Sequence, residues 1–119
     1  MKGYLSPNNE PCISITLLGN PRSQKVPAII DTGFNGYLAV PKQIIASHRW
    51  ELIGSEKYEV ATGQLETFDV YLGKILWNKK WVLVYALVTN SKDILIGTKL
   101  LKRSILTINF PLKKLHIKT

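Results

Sequence analysis

Apolar and polar positions in this chain mostly alternate, and the apolar runs are short. Over residues 13–18, Ile13, Ile15 and Leu17 fall on one side and Ser14 and Thr16 on the other. That is the period-two pattern of a strand with one buried face. Gly19-Asn20-Pro21 ends it. Residues 26–30 form a second apolar run that stops at Asp31, and residues 36–40 a third that stops at Pro41. Only residues 42–50 carry a helical period: Pro41 suits the first helical position, and Ile44, Ile45 and His48 share a side. Residues 57–61 and 65–72 predict a hairpin around Thr62-Gly63, where Gly63 is free to take a positive φ. Residues 75–77 and 81–88 predict another around Asn78-Lys79-Lys80. Residues 93–97 are a short apolar strand and 98–103 a helical turn. Residues 105–110 and 115–117 are closing strands around Pro111. Residues 1–9 hold one lysine followed by turn formers.

Many short strands with few helices point to a mainly β barrel or sandwich. The 119 residues suit a single domain spanning 1–119, with no repeat, low-complexity stretch or linker to divide it. At 45% hydrophobic and 20% charged, the composition is that of an ordinary globular protein. Cys12 is the only cysteine, so no intrachain disulfide can form, which fits a reducing compartment. Residues 1–9 lack the apolar core of a signal peptide, and residues 81–88, the longest apolar run, cannot span a bilayer as a helix. A cytoplasmic protein with no membrane association is expected.

The formal charge is +8, which raises nucleic acid or another anionic partner as a class. The lysines are scattered, and no basic run is interleaved with aromatics. The sequence therefore argues against nucleic acid and for solvated surface charge. His48, His116 and Cys12 lack the close spacing of zinc motifs, so neither a metal nor a cofactor is expected. His48 reads as a helix residue near the surface and His116 as a strand residue. Trp50, Trp77 and Trp81 read as core or interface.

Chemistry concentrates at Ala28-Ile29-Ile30-Asp31-Thr32-Gly33-Phe34-Asn35-Gly36. An apolar strand runs straight into an acid and then into turn residues. A carboxylate at the end of a buried strand is costly unless it is hydrogen-bonded or paired. Thr32 offers a hydroxyl, and Gly33 lets the backbone approach closely. An Asp-Ser/Thr-Gly triplet would arise by chance in roughly a few per cent of chains this long, so its context matters. Further on, Ile94-Leu95-Ile96-Gly97 is an apolar strand ending in glycine, followed by a helical turn.

Taken in order, Asp-Thr-Gly, a glycine-containing hairpin and apolar-apolar-Gly resemble the retropepsin-like (clan AA) aspartic proteases over roughly residues 12–110. The small single-domain members of bacteria and archaea, with Asp-Thr-Gly-Phe and a glycine two residues on, look most similar. The resemblance implies a small closed β-barrel with one or two short helices that works as a homodimer on a peptide or protein substrate. It implies Asp31 as the catalytic acid, Thr32 in the grip between the two aspartate loops, and Gly33 as backbone contact beside the dyad. Phe34, Asn35, Thr62 and Gly63 would contact substrate, with residues 61–64 as the flap tip. Phe34 replaces the small residue usual in retroviral members and narrows the subsites.

Aspartic proteolysis needs two carboxylates sharing one proton. Asp69 and Asp93 are not followed by Thr/Ser-Gly, so the partner of Asp31 must be Asp31 of a second chain. Two other readings stand beside this one. One is a catalytically silent barrel that holds a peptide or protein by β-augmentation. The other is a nucleic-acid-binding β-barrel suggested by charge alone.

Overall fold

The computed structural model describes residues 1–119 as ten strands and two short helices. In chain order these are β1 (Lys2–Leu5), β2 (Pro11–Leu17), β3 (Gln24–Ile30), β4 (Leu38–Pro41), α1 (Lys42–His48), β5 (Glu51–Glu59), β6 (Leu65–Trp77), β7 (Lys80–Thr89), β8 (Leu95–Ile96), α2 (Thr98–Leu101), β9 (Ile105–Asn109) and β10 (Lys114–Lys118). They join into one sheet ordered β5-β6-β7-β4-β8-β3-β2-β1-β10-β9. A further pairing of β6 with β2, through Thr16↔Leu76 and Leu17↔Ile75, closes a hydrogen-bonded circuit of six strands.

The alternation read from the sequence decides what lies inside that circuit. Ile13, Ile15 and Leu17 of β2 meet Val26, Ala28 and Ile30 of β3, with Leu38, Val40, Ile75, Val84 and Ile96 from the other strands. Leu17, Leu38, Val40, Ile75 and Ile96 are fully buried. Each such side chain contributes about 1.5–3 kcal/mol on leaving water, which makes this cluster the main source of stability. β4, β6, β7 and β8 have a second apolar face. Ala39, Val70 and Leu87 form a smaller cluster there, with Phe34, Tyr58, Phe68 and Leu95 packed against it.

The strands on either side of Asp31 are not neighbours. β3 and β4 are joined by the Asp31–Tyr37 loop, yet β8 lies between them, parallel to β3 (Ile30↔Ile96) and antiparallel to β4 (Leu38↔Ile96). A strand from late in the chain thus fills the slot that the loop leaves open.

Several elements differ from the sequence reading. Residues 2–5 form a strand because β10 and β2 supply partners for their backbone groups; turn formers alone hid this. β5 begins at Glu51 rather than 57 and bulges between Leu52 and Gly54. β6 is unbroken across Gly73-Lys74, because the Trp50 ring covers Gly73 where a side chain would sit. Pro41 ends β4 and caps α1 instead of opening it, and α1 stops at His48 because Arg49 turns left-handed (φ 55°). The apolar strand of residues 93–97 narrows to Leu95–Ile96, and α2 covers only part of 98–103.

His48 is a correction: it is 4% exposed, not a surface residue. Its Nδ1 lies 2.9 Å from the Ile44 carbonyl, and its ring meets Trp50 edge-on. Trp50 Nε1 in turn donates to the Leu18 carbonyl. Trp77 is core, whereas Trp81 is 47% exposed. The second predicted hairpin turns tightly at Asn78 and Lys79, both at positive φ (50° and 67°), between paired Trp77 and Lys80. No helix is long and apolar enough to cross a membrane.

Candidate active site

Asp31 lies immediately beyond the last residue of β3. Its N–H donates to the Ile96 carbonyl at 2.9 Å, continuing the β3–β8 ladder into the loop. Its Oδ1 accepts the Gly33 N–H at 2.9 Å, and its own carbonyl accepts the Phe34 N–H at 3.1 Å. The carboxylate is therefore held by the turn it starts, through the Gly33 N–H. Thr32 and Gly33 are exposed, so the apex of this loop faces away from the chain's own core.

The rest of the loop is clamped by α2. Gly97 N–H donates to Tyr37 O (3.1 Å), Thr98 N–H to Phe34 O (2.8 Å) and Lys99 N–H to Gly36 O (3.1 Å). The first N–H groups of a helix have no partner within it, and here loop carbonyls supply one. The fit excludes side chains at both glycines: a Cβ on Gly97 would run into the Gly36 carbonyl and the Phe34 ring, and one on Gly36 would strike the Phe34 ring. Gly97→Ala is expected to lower the unfolding free energy by about 1–3 kcal/mol, read as a lower denaturant midpoint with unchanged slope.

A cleft of about 740 Å³ opens beside this loop. Asp31, Gly33, Phe34 and Asn35 line one side, and Lys57 to Ala61 of the β5–β6 hairpin line the other. Phe68, Leu87, Leu95 and Lys99 complete its walls. The Phe34 and Tyr58 rings stand 6.0 Å apart, and Tyr58 and Phe68 6.4 Å apart, so a line of three aromatics ties the hairpin to the Asp31 loop. Burial, reinforced by a hydrogen bond and the negative charge of Glu56, pushes the Tyr58 hydroxyl above its usual range. The tip of the hairpin turns at Gly63 with φ 84°, as expected of that glycine, and Gly63 N–H donates to Val60 O.

Asp31, Gly33, Phe34 and Asn35 are thus brought to one cleft, while Thr32, Thr62 and Gly63 do not line it in the single chain. Tyr58, Phe68, Leu95 and Lys99 line the cleft without having been expected there from the sequence. Tyr58 and Phe68 were detectable as aromatics in an otherwise polar hairpin; Lys99 carried no distinguishing signal.

Cys12 lies outside this cleft. It is 6% exposed, and its thiol donates to the Glu10 carbonyl. Burial foremost, and then the Glu10 charge, raise its pKa. Alkylation of the folded protein by iodoacetamide is expected to run at least about ten-fold slower than in denaturant.

The strand order, the inserted β8 and the aspartate loop beneath a hairpin define a retropepsin-like fold. The chain is similar to a retropepsin-like aspartic protease from Rickettsia conorii, at 18% identity and TM-score 0.72, covering 99% of this chain and 88% of that one. It is similar to EIAV protease complexed with the inhibitor HBY-793, at 13% identity and TM-score 0.59, over 82% and 89% of the two chains. It also resembles the retroviral protease-like domain of Ddi1 from Leishmania major, at 16% identity and TM-score 0.50, over 88% and 86%. No protein-family model and no curated protein sequence matches this chain.

Proposed function

We propose that this single-domain chain is one half of a homodimeric aspartic endopeptidase, with Asp31 of each copy supplying one carboxylate of the dyad. The observation that carries this reading is the position of Asp31: it directly follows β3, accepts the Gly33 N–H, and lines a cleft of about 740 Å³ shared with the β5–β6 hairpin. One carboxylate, ionised, takes a proton from water, and that water attacks the peptide carbonyl. The other, protonated, gives its proton to the carbonyl oxygen as the tetrahedral diol forms; the proton taken from water then passes to the leaving nitrogen as the C–N bond breaks, and a diol proton returns to the dyad. Thr32 is exposed at the loop apex, and in this reading it meets its counterpart across a two-fold axis. The outer edge of β9, with Ile105, Phe110 and Leu112 exposed near it, offers a second copy both backbone partners and apolar surface. Phe34 fills space beside Asp31 and so favours small side chains next to the scissile bond.

A dilution series tests the quaternary claim. If the site forms only in a dimer, hydrolysis of a quenched fluorescent peptide rises with the square of chain concentration below the dimer dissociation constant and linearly above it. Hydrolysis that stays linear in samples shown to be monomeric by sedimentation defeats the dimer requirement. Peptide binding without any hydrolysis at any concentration favours the silent, peptide-binding barrel.

A further inference from the structure

The +8 charge is unevenly placed, and the candidate site leaves it unexplained. Residues 1–9 and 94–119 hold seven of the sixteen cationic side chains and none of the eight acids. Five of the acids fall within residues 51–69, in the β5–β6 hairpin. β5 and β9 are the two ends of the strand order, so acid and base are segregated along the sheet.

The register gathers the basic residues onto one surface. Lys2 pairs with His116 and His116 with Thr107; Tyr4 pairs with Lys114 and Lys114 with Asn109. All six are exposed, while their neighbours Leu5, Leu115 and Ile117 are buried, so both rows lie on the outer face of β1, β10 and β9. Along β10, Lys114, His116 and Lys118 recur at every second residue, about 6.6–6.8 Å apart. That spacing is close to the one between neighbouring phosphates of an extended nucleic-acid strand. A groove of about 480 Å³ runs over this face between Lys2, Thr107, Asn109, Lys114 and His116. Tyr4, 42% exposed, sits in the row with Lys114. Basic and aromatic residues that stand at opposite ends of the chain are thus neighbours in the fold.

We propose that the outer face of β1, β10 and β9 binds single-stranded nucleic acid, with Lys2, Lys114 and Lys118 against phosphates and Tyr4 stacked on a base. Charge complementarity supplies the affinity, and the ring of Tyr4 rewards an unpaired base of any identity. Thr107 and Asn109 add hydrogen-bonding groups at the groove. An anionic bilayer would gain little from this face, whose only large aliphatic side chain is Ile105. A second copy pairing at the β9 edge would leave the face open and double its width, so the proposal does not depend on the protease reading.

The test is fluorescence anisotropy of a labelled oligo(dT) with the whole chain over a range of salt. Binding is expected to weaken with salt along a log–log slope of about −2, as three phosphate contacts on a single strand require. The double variant Lys114→Gln/Lys118→Gln is expected to weaken binding about ten-fold or more and flatten the slope. Tyr4→Ala is expected to weaken it about ten-fold with the slope unchanged. Lys42→Gln, on α1, which packs against β4 and β7, is expected to leave binding unchanged. Circular dichroism confirms that each variant is folded. The proposal is overturned by an absence of binding at low salt, or by affinity indifferent to the Lys114, Lys118 and Tyr4 changes. Equal competition by duplex DNA would also overturn it, as would capture by phosphatidylserine vesicles with no binding to the oligonucleotide.

Discussion

Asp31→Asn is expected to lower the rate of peptide hydrolysis by at least about a thousand-fold, with the unfolding midpoint essentially unchanged. The two halves of this expectation have separate physical origins. The asparagine side chain keeps an oxygen where Oδ1 accepts the Gly33 N–H, so the turn survives. It cannot take a proton from water or share one with a partner, so the chemistry does not. In the proposed dimer, replacing both acids would also remove any repulsion between them, so dimerisation is expected to hold or strengthen. The measurement is a progress curve on a fluorescent peptide beside a denaturation curve on the same preparation. Hydrolysis at the unsubstituted rate would show that Asp31 is not the acid.

Ile96→Ala is expected to remove about 2–5 kcal/mol of stability, lowering the melting temperature by about 10 °C or more. Ile96 is fully buried and paired on both sides, with Ile30 of β3 and Leu38 of β4. Truncating it leaves a cavity directly under the Asp31 loop, which rigid neighbouring strands cannot collapse to fill. Against a total stability of about 5–15 kcal/mol for a domain this size, the loss is large. Leu95→Ala is the instructive contrast. Leu95 is the preceding residue but faces the cleft with Phe34 and Phe68. Its truncation is expected to cost less stability and to appear instead as a raised KM for peptide. Equal melting temperatures for the two variants would contradict the assignment of opposite faces to β8.

Much of this architecture could be read from the residues. Where alternation is strict, as in Ile13-Ser14-Ile15-Thr16-Leu17, the buried and exposed positions came out as expected. The acid at the end of Ala28-Ile29-Ile30 and the glycine at the end of Ile94-Leu95-Ile96 were legible because both break a strand abruptly. What stayed hidden was long-range. Nothing local says that Lys2–Leu5 is a strand, since most of its pairing is with β10 at the other end of the sequence. Glu51–Glu59 has no alternation to detect, being exposed nearly throughout and held mainly by pairing with β6. His48 falls on the helical face that the period picks out, yet its burial depends on Trp50 and the β2–β3 turn packing over it. The cleft was legible on its Asp31 side alone, because its other wall is built by side chains of a hairpin whose reach no spacing rule predicts.

The threading of β8 between β3 and β4 also governs when the site can exist. The Asp31 loop is complete early in the chain, but the carbonyl and N–H groups that fix it belong to Ile96, Gly97, Thr98 and Lys99. On the ribosome, Asp31 emerges long before those residues do, so a nascent chain carries its acid on an unclamped loop. Parallel pairing between distant segments also forms slowly, since loop closure precedes any gain from contact. The Asp31 loop thereby stays unclamped until residues 96–99 have been made.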